Sequence, residues 1–102
     1  MTTVESHWIN PTINFGTIKR NKTREFWYQA LPTVLPIKKI HAACGCTSLK
    51  YNPETKVLKV TYKSGEMPKH IKEDYMEVLK FITVTYLDGS EETLYLKGTK
   101  LR

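Results

Sequence analysis

The chain has 102 residues, 40% of them hydrophobic, 25% charged and only ten Gly or Pro. That length suits one domain, and the balance is that of a soluble globule, excluding a fibre or a disordered tail. No run approaches the roughly 18 apolar residues of a membrane helix. The opening residues Met1 to Trp8 lack the basic-then-apolar order of a secretion signal. A virion or cytoplasmic location is therefore expected, with no membrane partner.

The net charge is +6, and it is uneven. Residues 1–51 carry seven positive and two negative groups, residues 52–102 nine and eight. The basic first half, through Lys19, Arg20, Lys22 and Arg24 and through Lys38 and Lys39, supplies one reading of function, nucleic-acid binding. It ranks third of three, because the groups are short and charge alone is unspecific.

In chain order, the period found most often is two, the signature of strands. Residues 1–12 read as an N-terminal arm, with Trp8 and Ile9 placed to dock on a neighbour, and residues 13–102 as the domain. Ile13 to Ile18 alternates and Lys19 to Lys22 forms a turn. From Thr23 to Ala30, Phe26, Tyr28 and Ala30 share the core face, which leaves Trp27 on the polar side. The two prolines of Leu31 to Pro36 mark a connection, because proline cannot donate to a central ladder. A strand starts at Ile37, and the three-residue step to Ile40 predicts a bulge or a change of face. Tyr51 to Thr55 is a turn. Val57 to Lys63 alternates again, with Leu58, Val60 and Tyr62 inward and lysines outward that discourage edge pairing.

From Pro68 the spacing of Ile71, Tyr75, Val78 and Leu79 predicts a short helix over 68–79. Its acidic residues would be a solvated face. Asp88-Gly89 then predicts a hairpin joining Phe81–Leu87 to Glu92–Gly98. Ile82, Val84 and Tyr86 face inward with Leu94 and Leu96, and the opposite face carries Phe81, Leu87 and Tyr95, a stripe too apolar for idle surface. The elements add up to an all-β, antiparallel sandwich of six or seven strands with one short helical insertion, a barrel being the alternative. Its core is expected around Phe15, Phe26, Tyr28, Ile40, Val60, Ile82, Val84 and Leu96.

His41, Cys44 and Cys46 offer three borderline or soft ligands for Cu(I) or Zn, with His7 or His70 as a possible fourth. Against this, a bridge across one glycine would strain the usual Cα separation, so the cysteines read as reduced thiols packed at a strand end. They are weak metal candidates, and no cofactor is implied. No nucleophile elbow, phosphate loop or paired carboxylate is found, so no enzyme is expected.

Phe15-Gly16-Thr17-Ile18, Phe26-Trp27-Tyr28, the stretch from Leu35 through Ile37 and Ile40 to Ala43-Cys44-Gly45-Cys46-Thr47, and Leu94-x-Leu96-x-Gly98 together resemble the DUF1573 family. This is a family of immunoglobulin-like domains related in fold to the ASH and PapD-like sandwiches. The resemblance covers residues 13 to 98. Ala43 stands where the family commonly has Ser, and the expected helix replaces a short turn. The resemblance implies an immunoglobulin-like sandwich and a non-catalytic role in protein interaction within a larger assembly, such as an accessory or decoration protein of a phage capsid. The partner-binding candidates are Trp8, Trp27, Phe81 and Tyr95. Soft-metal or redox work at His41, Cys44 and Cys46 is the second reading.

Overall fold

The computed structural model describes residues 6–102. Seven strands follow in order: β1 (Thr12–Lys19), β2 (Thr23–Gln29), β3 (Ile37–Ala42), β4 (Thr47–Asn52), β5 (Val57–Lys63), β6 (Tyr75–Tyr86) and β7 (Glu91–Leu101). They form a four-stranded sheet, β1-β7-β6-β3, and a three-stranded sheet, β2-β5-β4. Packed face to face, the two sheets make an all-β sandwich whose shortest dimension is 20 Å.

Alternation builds the core. Phe26 and Tyr28 of β2, with Leu58, Val60 and Tyr62 of β5, meet Phe15 and Ile18 of β1, Val78, Ile82, Val84 and Tyr86 of β6, and Leu94 and Leu96 of β7. Ile40 is only partly buried and packs at the margin. The hairpin forms as expected, with Ile82 opposite Leu94 and Gly89 in the left-handed region at φ 88°. The bulge in β3 falls between Ile37 and Lys39.

Three features depart from the sequence reading. The predicted helix over 68–79 does not form. Residues 68–74 form an irregular loop with a turn at 69–70 and a bend at 73–74, and β6 begins at Tyr75. The inward series Val78, Ile82, Val84 and Tyr86 keeps a period of two, but Lys80 interrupts its apolar run, so Tyr75 and Leu79, which face outward, mimic helical spacing. Pairing decides the outcome, because Tyr75 to Lys80 lie opposite Leu101 to Leu96 of β7. Arg102 closes the preceding loop, its guanidinium donating to Ile71 O at 2.6 Å and Glu73 O at 2.9 Å.

The second departure is β4, which runs through Tyr51 and Asn52, so the turn comes later. There Asn52 Oδ1 accepts from Glu54 N at 2.9 Å. With β4 in place, β5 becomes the centre of its sheet, and its lysines guard no edge. Third, the sandwich is not wholly antiparallel, since β1 pairs parallel with β7 across an irregularity between Asn14 and Thr17. Gly16 sits within it at φ 75°.

The arm read over residues 1–12 falls partly outside the described residues. Of the rest, Trp8 is 3% exposed and lies in this chain's own core, bridged to Ala30, so it anchors no neighbour. Its indole N–H donates to Tyr86 Oη at 3.1 Å, Tyr86 in turn donates to Glu92 Oε1 at 2.8 Å, and Ser6 Oγ and His7 N also donate to the Glu92 carboxylate. Lys100, also buried, donates to Ser64 O at 2.8 Å and Glu66 O at 2.9 Å. Burial, and then Lys80 nearby, lower its affinity for the proton.

Tyrosine burial gives the fold a pH limit. Burial raises the hydroxyls of Tyr28, Tyr51, Tyr62 and Tyr86 above their ordinary value near 10, and at Tyr86 the bond to Glu92 adds to it. The folded state holds these protons more tightly than the unfolded chain. Their stabilisation is therefore complete below about pH 10 and declines as the pH rises further. Tyrosinate absorbance should develop cooperatively, together with the loss of β-sheet circular dichroism. Ionisation of Tyr28, Tyr51, Tyr62 and Tyr86 near pH 10 with the fold intact would contradict this burial.

Candidate functional site

The loop between β3 and β4 carries the cysteines, and here the structure corrects the reading of two free thiols. Cys44 and Cys46 are joined in a disulfide. In an extended strand, residues two apart would stand about 6.6 Å apart. A turn over residues 44–47, closed by Thr47 N donating to Cys44 O at 3.2 Å, shortens the Cα separation to 5.2 Å, from the upper edge to well within the range that disulfides bridge. The oxidised sulfurs offer no thiolate to a soft metal. His41 is exposed on the outward face of β3, opposite Thr83, while His7 meets the Tyr86 ring edge-on at 5.2 Å and His70 lies in the 68–74 loop. The structure does not gather the five as ligands: among the described residues no three His, Cys, Asp or Glu side chains are placed to hold a metal ion.

The outer face of the four-stranded sheet is the more apolar surface. Odd-numbered residues of β6 point away from the core, which exposes Tyr75, Leu79 (52%) and Phe81 (44%) along one strand. Tyr95 of β7 lies directly opposite Phe81, and the two rings pack edge to face with centroids 5.6 Å apart. Leu87, at 66% exposure, stands beyond the stripe at the hairpin end. Phe81 and Tyr95 are thus brought together, while Trp8 belongs to the interior.

Trp27 lies on the opposite side of the molecule, on the outer face of the three-stranded sheet, and is 55% exposed. Its cross-strand neighbour is Lys59 of β5, and Lys59 in turn faces Lys50 of β4. These three residues, with Asn52, Thr55 and Val57, line a shallow groove of about 240 Å³. A larger groove, about 540 Å³, opens at the seam where β3 and β4, edge strands of the two sheets, leave Ile37, Ile40, Leu49 and Tyr51 partly uncovered.

The basic residues grouped in the sequence do not gather into one patch. Arg24 turns back on the fold, donating to Phe15 O at 3.2 Å and Thr17 O at 3.1 Å with its guanidinium 5.2 Å from the Phe26 ring centroid. Arg20 pairs with Glu66 at 3.8 Å, and Lys38 and Lys39 belong to the edge strand β3. The sequence marks Lys59 only as an outward lysine of its strand and does not mark Lys50. Only recognition of β4 as a strand, with Lys50 on its outward parity, would have set them beside Trp27. No family model, curated protein or solved structure matches the chain. No helix among the described residues is long and apolar enough to cross a membrane.

Proposed function

We propose that this chain is a non-catalytic protein-interaction module of immunoglobulin-like, DUF1573-like type that works as part of a larger assembly. The observation that carries the reading is the stripe of Tyr75, Leu79, Phe81 and Tyr95, large apolar side chains left uncovered on one sheet face. Large apolar side chains exposed together on one face, here interspersed with Glu77 and Lys97, mark contact sites, and aromatic residues dominate the energetics of such contacts. The partner is a protein surface, and the assembly is a phage capsid on which the chain acts as an accessory or decoration protein. A capsid presents many identical sites, so weak single contacts there add up to avidity.

The test starts from particles stripped of the chain and returned to purified protein. Wild type should sediment with them, and Leu79→Ser/Phe81→Ser should lose most of that binding while keeping its melting temperature, because both side chains are already about half exposed. Wild type left as free monomer in the supernatant, or a double variant that sediments equally well, would refute the reading.

A further inference from the structure

On the three-stranded sheet Lys50 and Lys59 stand directly opposite each other on neighbouring antiparallel strands. Like charges so placed are destabilising, and sheets ordinarily pair opposite charges there. The ion pairs among the described residues, Arg20–Glu66 and Arg102–Asp74, involve neither lysine. Next in the same cross-strand row comes Trp27, outward on β2 and more than half exposed. Two like charges in register break a local sheet rule, they do so beside an uncovered indole, and such conflicts concentrate at functional sites, where a ligand can supply the missing partner.

The ligand must carry a negative charge to lie between the lysines and a flat face to lie on the tryptophan. A nucleotide unit has both. We propose that the groove formed by Trp27, Lys50 and Lys59 binds single-stranded nucleic acid, with one base stacked on the Trp27 indole and the adjoining phosphate held by the two ammonium groups. Asn52 and Thr55 at the groove wall supply polar contacts that do not select a base. The bases of a duplex are already stacked on each other, so double-stranded DNA does not satisfy the site. The groove also lies on the sheet opposite the apolar stripe, so it leaves that face free for a protein partner.

The probe is an oligothymidylate of about fifteen residues, a length within the reach of one small binding domain. The chain has two tryptophans, and the other, Trp8, is buried, so quenching of exposed tryptophan fluorescence reports stacking on Trp27 directly. Binding should weaken as salt rises, with a log–log slope near −0.7 for each phosphate neutralised. Read by the anisotropy of a fluorescently labelled oligothymidylate, which needs no tryptophan reporter, Trp27→Ala should weaken binding by about five- to a hundredfold, the range for one base–aromatic stack, and Lys59→Glu should weaken it and flatten the salt slope. Lys72→Glu, in the 68–74 loop, makes the same change in net charge away from the groove and should have a much smaller effect. Thymidine monophosphate competing with equal strength per site would reassign the groove to free nucleotides and overturn the single-strand proposal. Undetectable binding at low salt, tighter binding to duplex, or equal losses in Lys59→Glu and Lys72→Glu would overturn it as well. None of these results bears on sedimentation with particles, so this proposal and the assembly reading can fail separately.

Discussion

Replacing Gly98 by alanine should cost about 3 kcal/mol, near the top of the usual range for overpacking. An ideal Cβ at this position would fall 2.5 Å from Cδ1 and Cζ of Phe15, closer than real carbon atoms approach. Phe15 cannot easily swing aside, since its ring is held between Phe26 and Tyr62 with both centroids at 5.8 Å. For a chain of this length the loss corresponds to a melting midpoint lowered by roughly 10–20 °C. Removing the obstacle makes the test specific. Phe15→Ala alone should cost about 3–5 kcal/mol, but Gly98→Ala placed on that background should cost little more, because the added methyl enters vacated space. Denaturant unfolding of the four proteins completes the cycle. Strictly additive losses would mean that the Phe15 ring does not lie over Gly98.

Trp8→Ala should be at least as damaging, at about 3–5 kcal/mol. Against the total of roughly 5–15 kcal/mol usual for a domain, that is a large share. Two losses combine: the indole leaves the core cluster, and Tyr86 loses the donor at 3.1 Å that helps fix its hydroxyl. Trp8→Phe keeps much of the buried area and should recover part of the loss. Urea midpoints compared at equal slope measure the difference. A Trp8→Ala variant within about 1 kcal/mol of wild type would show that the segment from Ser6 to Pro11 adds little to the fold, contrary to its bonds to Glu92 and its burial.

What was legible in the sequence divides along physical lines. Strands with uninterrupted alternation, such as Thr23 to Gln29 and Val57 to Lys63, could be read directly, because one face is core and the other solvent. The Asp88-Gly89 turn was equally plain, since glycine meets its positive φ without strain. The first half of β6 was not, because Lys80 breaks the inward run and only pairing with β7, known once the chain is folded, outweighs the helical spacing. Edge strand β4 has inward residues, Leu49 and Tyr51, that are only partly buried, which weakens its pattern. Trp8 looked like part of an arm because the chemistry that retains it lies far along the chain, in Tyr86 and Glu92. The surface stripe was half visible, through Phe81 and Tyr95, whereas the opposed lysines depend on three strands meeting in register. Cys44 and Cys46 show the same limit: extended spacing lies at the upper edge of what a disulfide bridges, and the turn that brings the pair closer is not written in the spacing.

The parallel pairing of β1 with β7 affects how the molecule would bear tension. Thr12 lies beside Tyr95 and Lys19 beside Leu101, so the start of β1 and the end of β7 sit at opposite ends of one ladder. A pull applied between those two points runs along both strands in opposing directions and loads the rungs in shear, all together. Strands that left from the same end would instead part like a zipper, one rung at a time. A domain strung between two anchors by these strands would therefore resist stretching better than its modest size suggests.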